Sequence, residues 1–155
     1  MDLATLTNAP RELSFAGRSW QVSALTMREW GRVQAWIKDN VASPVSAIRS
    51  EDLEGLSPIH QRALLAEAVI AQRNWPPRVG TRAWFEAIDS TGKGDTSGHA
   101  VFLHTVLAKH RPEFSLSDAV RLADTMLNAD IVPLVMAALG MDDPSPPKSE
   151  AAGKS

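Results

Sequence analysis

Cysteine and tyrosine are both missing from this sequence of 155 residues. Without cysteine, the chain can form neither a disulfide framework nor a thiolate zinc site, and it has no cysteine nucleophile. Without tyrosine, it has no phenolic group to act as a general acid or base. The length predicts one domain, and 44% hydrophobic residues are enough for that domain to bury one core.

Long apolar runs and an excess of one charge are missing as well. No stretch approaches the roughly 20 apolar residues of a membrane-spanning helix, and the N-terminus has neither the basic nor the apolar region of a signal peptide. Sixteen lysine and arginine residues against eighteen acidic residues give a net charge of −2, which gives no support to binding a nucleic acid or a membrane surface. We therefore expect a cytoplasmic protein that binds neither nucleic acid nor membranes.

The first regular structure along the chain is a predicted β-hairpin at residues 11–15 and 19–24. Apolar and polar residues alternate in both segments, as in strands with one buried face. Gly17 lies between them and can adopt the positive φ that a tight turn needs. Because an isolated hairpin is marginally stable in water, we expect its apolar face to pack on helices.

Six helices are expected after the hairpin, from apolar residues that recur at helical spacing. Thr26 and Glu29 have the spacing of a capping box, and Ser57 followed by Pro58 marks another helix start. The helix that follows Pro58 is apolar around most of its circumference, so we expect it to be the buried central helix of the domain. The expected ranges are 26–40, 59–75, 82–88, 98–110, 117–127 and 130–139.

Together these elements predict a mainly α fold, with an N-terminal β-hairpin packed on a bundle of about six helices and a disordered C-terminal tail. Residues 1–10 have no clear period and are expected to fray. Residues 11–140 form the single helical domain, and Gly140 is placed to cap its last helix. Residues 141–155 contain three prolines and almost no apolar residue, so we expect them to be disordered.

No group of residues indicates catalysis or a bound metal, and we expect neither an enzyme nor a cofactor. The four histidines are not spaced three or four residues apart, as two metal ligands on one helix face would be. The acidic residues at 51–54 lie in a polar linker, where nothing raises a carboxyl pKa for acid–base work. The glycine-rich loop at 90–98 lacks the spacing of a P-loop. Because it leads into a helix N-terminus, a small enzyme that binds a phosphorylated ligand there stays open as an alternative.

Tryptophan and the last helix supply the candidate protein-binding residues. Five tryptophans are many for this length, and tryptophan is enriched at interfaces as well as in cores. Asp130 is expected to cap the helix at 130–139, and Pro133 is expected to lie in its first turn. This helix carries apolar residues at the positions where a DNA-reading helix needs polar ones. Core packing and a protein interface both remain open for these surfaces. The candidate protein-binding residues are Trp30, Trp36, Ile131, Leu134, Val135 and Leu139.

The segment at residues 11–30, RELSFAGRSWQVSALTMREW, resembles the start of tail assembly chaperones of long-tailed bacteriophages. Those proteins also tend to open with a short hairpin that turns at a glycine followed by a basic residue, and then continue with Leu-Thr and a helix. Residues 114–124, FSLSDAVRLAD, are similar to their usual last helical segment. Residues 42–98 resemble no family.

The resemblance implies a non-enzymatic function in phage tail assembly. Chaperones of this family bind the long, helical, aggregation-prone tape measure protein, keep it soluble while tail tube subunits assemble around it, and are then shed. For this chain, the resemblance implies the tape measure protein and the tail tube protein as partners, a location in the host cytoplasm and absence from the mature virion. The resemblance does not decide whether the protein forms a homo-oligomer. The first alternative is a structural head–tail connector or tail-completion subunit, which would use the same apolar surfaces permanently.

Overall fold

Two short strands and seven helices make up the parts of the chain that the structure, a computed structural model, describes: residues 9–90 and 96–141. This architecture confirms the predicted fold class, mainly α with an N-terminal β-hairpin. The expected fraying at residues 1–8, the centre of the glycine-rich loop at 91–95 and the expected disorder at 142–155 lie outside the described residues. The strands are β1 (Arg11–Phe15) and β2 (Arg18–Val22). The helices are α1 (Met27–Asn40), α2 (Ser50–Leu53), α3 (Pro58–Gln72), α4 (Arg82–Asp89), α5 (Gly98–Leu107), α6 (Leu116–Thr125) and α7 (Asn128–Ala138).

The two strands form the antiparallel hairpin that the sequence predicts, with Phe15 opposite Arg18. This register leaves a two-residue turn of Ala16 and Gly17, whose φ angles are 52° and 71°. Positive φ at both positions is typical of a type I′ turn, which matches the twist of the two strands. The second strand ends at Val22, two residues earlier than expected.

The buried face of the hairpin packs against side chains from the helical part of the domain. The Trp20 ring is 3% exposed, stacks on Phe15 with ring centroids 5.6 Å apart, and meets Phe114 edge-on at 5.3 Å. The Arg111 guanidinium lies over the same indole, 4.5 Å from its centroid. These contacts fix the hairpin on the helices, as its low stability in isolation requires.

Helix α1 begins where the sequence predicts. Thr26 Oγ1 accepts a hydrogen bond from the Glu29 N–H, and the Glu29 carboxylate accepts one from the Thr26 N–H, so both halves of the capping box are present. Val33 and Ile37 are fully buried on the side of α1 that packs on α5. The capping box therefore fixes the start of a helix whose inner face belongs to the core.

The buried central helix is α5, and the prediction that the helix after Pro58 has this role is wrong. Eight of the ten residues of α5 are buried, and α1, α4, α6 and β2 pack against it. Within α3, the helix that follows Pro58, only Ala68 is buried. Both helices are apolar around most of their circumference, but α5 contains no acidic residue, lysine or arginine. Helix α3 contains Arg62 and Glu67, whose charges are costly to remove from water.

Helices α4 and α5 approach each other so closely at Gly98 that no larger residue fits. A Cβ atom at this position would lie 2.5 Å from Ile88 Cα and 2.7 Å from the Ile88 carbonyl oxygen. The Trp36 ring would lie 2.9 Å away on another side. Gly98, the last residue of the predicted loop at 90–98, is therefore packed in the core.

Replacing Gly98 with alanine is expected to lower the free energy of unfolding by about 1–3 kcal/mol, because the backbone of α4 must move to admit the methyl group. Gly31→Ala is the matched control. Gly31 is an exposed glycine inside α1 where an added Cβ meets nothing within 4 Å, so alanine there is expected to stabilise the protein by about 0.5–1 kcal/mol. Chemical denaturation measures both effects. A Gly98→Ala protein as stable as the wild type would contradict the close approach.

Helix α7 begins two residues earlier than the sequence predicts, at Asn128. The predicted N-cap at Asp130 is wrong, because Leu127 occupies the N-cap position. Asp130 lies in the first turn, where its carboxylate accepts a hydrogen bond from the Leu127 N–H. Because the helix starts earlier, Pro133 lies inside it, and the prediction that this proline occupies the first turn is wrong. The predicted cap at Gly140 is confirmed. Its φ is 77°, and its N–H group and that of the next residue close the last turn as in a Schellman motif.

Candidate protein-binding groove

A groove of about 1040 Å³ lies between the start of α1 and the end of α7. The segment 78–81, which leads into α4, forms its third side. Concave, mostly apolar surfaces are the usual form of binding sites in proteins. The apolar residues that line this groove are Leu25, Met27, Trp30, Val79, Leu139 and Met141.

Three apolar side chains are exposed around the groove. Met27 is 87% exposed, Leu139 39% and Met141 52%. Met27 is the first residue of α1, and the other two flank the glycine at which the chain turns out of α7. Exposed methionines suit an adaptable binding surface, because the unbranched side chain can fit partners of different shape.

The half-buried ring of Trp30 connects the groove with the core. It stacks on Phe102 with centroids 5.9 Å apart and meets Trp84 edge-on at 6.2 Å. The Trp84 indole N–H donates to Gln34 Oε1 at 2.9 Å, and Gln34 Nε2 donates to the Pro77 carbonyl at 2.9 Å. These contacts tie α1 to α4 and to Pro77, which directly precedes the segment that forms the third side. The groove therefore has a fixed base below an adaptable rim.

Hydrogen bonds also hold the two ends of the groove together. The Leu25 N–H donates to the Ala138 carbonyl at 2.8 Å, which joins the segment before α1 to the end of α7. The Arg11 guanidinium donates to the Met141 carbonyl at 2.8 Å, so the first strand also holds the chain after α7. The relative position of the two rims is set by these bonds.

An ion pair also fixes the start of α1. Lys109 Nζ lies 3.0 Å from Glu29 Oε1 and donates to the Ala24 carbonyl at 3.0 Å. Burial alone would raise the pKa of the Glu29 carboxyl, but hydrogen bonds from the Thr26 backbone and from Lys109 lower the pKa below its ordinary value. The carboxylate is therefore the form that the fold stabilises.

The structure brings together two of the sequence-predicted binding residues, Trp30 and Leu139, on the groove. Trp36 lies elsewhere, beside Gly98 at the start of α5. Positions 30 and 36 are six residues apart, which places them about 120° apart around an α-helix. Trp36 therefore does not line the groove with Trp30, and the structure does not bring these two predicted binding residues together.

Three more predicted binding residues, Ile131, Leu134 and Val135, belong to the core. Their exposed fractions are 5%, 0% and 2%, so these three side chains pack in the core. The prediction that they form an accessible binding surface is therefore wrong. Sequence reasoning missed Met27 and Met141. Met27 is the first residue of its helix and Met141 follows the end of the last helix, so the positions of the helix ends identify them as groove residues.

Burial lowers the pKa of both His99 and His104 below the ordinary value of 6.5. The Asp89 carboxylate, with one oxygen 3.6 Å from His99 Nδ1, raises the pKa of His99, but by less than burial lowers it. Beside His104, the Arg32 guanidinium lowers the pKa further. Arg32 donates a hydrogen bond to His104 Nδ1 at 2.8 Å, which requires that this nitrogen carries no proton.

Acidification below about pH 6.5 is expected to destabilise the fold. Because both imidazoles bind protons less readily in the folded protein, the unfolded chain binds more protons and the free energy of unfolding falls as the pH drops through this range. A further loss is expected in more acidic solution, since the pKa values of Glu29 and Asp118 are also lowered. Thermal unfolding at about pH 7.5 and about pH 5.5 measures the loss of stability caused by the two histidines. His104→Gln is expected to reduce it, and a wild-type Tm that rises on acidification would contradict it.

Metal and membrane sites are not found in residues 9–90 and 96–141. No group of three or more histidine, aspartate or glutamate side chains there is placed to hold a metal ion. None of the helices there has the length and hydrophobicity to cross a membrane. The centre of the loop considered for a phosphorylated ligand lies outside these residues.

Comparison of the chain with protein-family models, with curated proteins and with solved structures found no match. The groove and the resemblance of residues 11–30 and 114–124 are therefore the features that bear on the function.

Proposed function

We propose that this protein is a tail assembly chaperone of a long-tailed bacteriophage, and that it binds helical segments of the tape measure protein in the groove between α1 and α7. The observation that carries the proposal is a concave apolar surface whose rim exposes Met27, Leu139 and Met141 above the ring of Trp30. No catalytic step is involved. The protein acts in the host cytoplasm, is released as tail tube subunits assemble, and is absent from the mature virion.

The shape of the groove suits an amphipathic helix. An α-helix with its side chains is about 10–12 Å across, and helix-in-groove recognition places apolar residues at spacings of three and four into such a surface. The groove of about 1040 Å³ is open on one side, so it can take one face of a helix and leave its polar face in water. Arg78 lines the rim, where an acidic residue of the bound helix would pair with it.

The chemistry of the lining suits a chaperone for a long helical protein. Such a partner presents many different apolar stripes, and binding them requires side chains that repack. Two methionines at the rim give this adaptability, while Trp30 contributes a large apolar contact area held by Phe102 and Trp84. An apolar groove with an adaptable rim is better suited to repeated, reversible contacts than to a single permanent interface.

Co-expression with the long, helix-rich protein encoded by the neighbouring reading frame tests the proposal. We expect that protein to be soluble and to co-purify only when this chain is present, because its apolar stripes are then covered. If the two proteins neither associate nor change each other's solubility, the chaperone proposal fails.

Analysis of purified particles separates a chaperone from a structural connector. A chaperone is absent from finished particles, whereas a connector or tail-completion subunit remains in them at a fixed copy number. Detection of this chain in intact particles would favour the connector and contradict the release step.

A further inference from the structure

Helix α3 presents a convex apolar surface to solvent. Ile59 is 76% exposed and Ile70 60%. The opposite side of the helix carries Ala68, its one buried residue. An apolar surface this exposed on a single helix is a feature that marks interaction sites.

Polar contacts join α3 to the segment that precedes it, residues 45–56, and set which side faces outward. Gln61 Nε2 donates to the carbonyls of Leu53 at 2.9 Å and Leu56 at 3.2 Å. Near the other end, Gln72 Oε1 accepts a hydrogen bond from the Val45 N–H at 3.2 Å. Both glutamines lie on the same side of the helix as the buried alanine, so the exposed isoleucines point away from the domain.

The outward side has the spacing of a helix-pairing seam. Ile59, Ala63, Ala66 and Ile70 follow one another at intervals of four, three and four residues, which places them in one row, as at the a and d positions of a heptad. All four are exposed. The small alanines at the centre let two helix backbones come close, and the large isoleucines at the ends fill the space on either side.

The row is symmetric about its midpoint, which suits pairing with an identical helix. Reversing its direction exchanges Ile59 with Ile70 and Ala63 with Ala66. In an antiparallel pair related by a two-fold axis, each isoleucine therefore lies level with the other isoleucine of the second copy. Two-fold interfaces of this kind require a surface that is complementary to itself.

Charges at the two ends of α3 favour the antiparallel direction. The acidic residues Glu51, Asp52 and Glu54 precede the helix and are exposed. Arg73 directly follows the helix and is also exposed. An antiparallel pair brings each acidic end beside a basic end, and the opposed helix dipoles add to the attraction. A parallel pair would bring acidic end to acidic end.

We propose that the protein forms a homodimer through antiparallel pairing of α3 with α3 of a second copy. The helix of 15 residues is about 22 Å long, so the interface lies at the small end of the range for specific contacts. The dimer is accordingly concentration-dependent. It leaves the groove between α1 and α7 free, and it does not depend on the function proposed for that groove.

Sedimentation of the full chain tests the dimer. We expect the weight-average mass to rise from monomer toward dimer between about 5 μM and about 500 μM, the range in which a weak dimer changes population. Ile70→Asp is expected to keep the protein monomeric throughout with unchanged helix content. Met27→Glu, which alters the groove instead, is expected to dimerise like the wild type. A wild type that stays monomeric, or an Ile70→Asp protein that still dimerises, would overturn the proposal.

The absence of cysteine allows a direct test of direction. In the antiparallel pair, an Ile59→Cys chain and an Ile70→Cys chain form a disulfide with each other when mixed and oxidised. Neither forms one with itself, because equal positions are about 16 Å apart along the axis and a disulfide needs Cα atoms within about 7 Å. Self-linking of Ile59→Cys that equals or exceeds linking in the mixture would contradict the proposal.

Discussion

Aspartate in place of Val135 is expected to unfold the domain. Val135 is 2% exposed on α7, beside the fully buried Leu134, and α7 packs against both strands of the hairpin. A carboxylate at this position enters the hydrophobic core, and burying an unpaired charge costs several kcal/mol or more. Domains of this size have about 5–15 kcal/mol of stability, so the loss removes most or all of it. Circular dichroism and thermal unfolding measure the result.

Val132→Asp is the matched control for this substitution. Val132 is on the same helix but 48% exposed, so the same charge stays in water there and is expected to change stability by no more than about 0.5 kcal/mol. A Val135→Asp protein that folds like the wild type but loses its partner would show that the inner side of α7 is an interface and not part of the core.

Alanine in place of Trp84 is expected to lower the free energy of unfolding by about 3–5 kcal/mol. Trp84 is fully buried, and its ring contacts those of Trp30, Phe85 and Phe102 edge-on at 5.2–6.2 Å between centroids. The substitution leaves a cavity beneath the groove and removes the indole donor that Gln34 accepts from. Chemical denaturation measures the loss.

Trp84→Phe separates the two contributions. Phenylalanine keeps an aromatic ring among its neighbours but cannot donate to Gln34, so the expected loss is smaller, about 1–3 kcal/mol. If Trp84→Ala destabilised the protein by less than Trp84→Phe does, the assignment of Trp84 as the main packing residue between α1, α4 and α5 would be wrong.

The ends of the elements could be predicted from the sequence because they depend on local chemistry. The turn at Gly17, the capping box of Thr26 and Glu29, and the cap at Gly140 each involve residues within a few positions of one another. Short-range hydrogen bonds and backbone conformations of this kind are largely set by residue type. The structure has all three where they were expected.

The placement of whole helices could not be predicted in the same way. Helices α3 and α5 are both apolar on most sides, and which one occupies the centre depends on contacts with elements distant in the chain. The presence of Arg62 and Glu67 in α3 was the signal against its burial, but a narrow polar stripe is also compatible with a helix that is mostly buried. The exposure of α3 therefore emerged only from the structure.

The candidate site could be predicted in part. Trp30 could be predicted because tryptophan is enriched at interfaces, and Leu139 because the last helix is highly apolar, and both line the groove. The placement of Met27 and Met141 on the groove could not be predicted, because it depends on which helix ends meet in the fold. Their role follows from the bond between the Leu25 N–H and the Ala138 carbonyl, which brings the start of α1 beside the end of α7.

The most direct test of the proposed function is co-expression of the tape measure protein with two variants of this chain. Each variant carries one new lysine, either within α7 or at the residue that directly follows it. Leu139→Lys puts the charge in the groove, near a helix C-terminus where the dipole favours a cation. Val132→Lys puts it on an exposed site that lines a different cavity. Both variants are expected to fold. We expect Leu139→Lys to reduce the soluble, co-purified partner about tenfold or more, corresponding to about 1.4 kcal/mol of binding free energy, and Val132→Lys to leave it unchanged. Equal recovery of the partner with both variants would contradict binding in the groove.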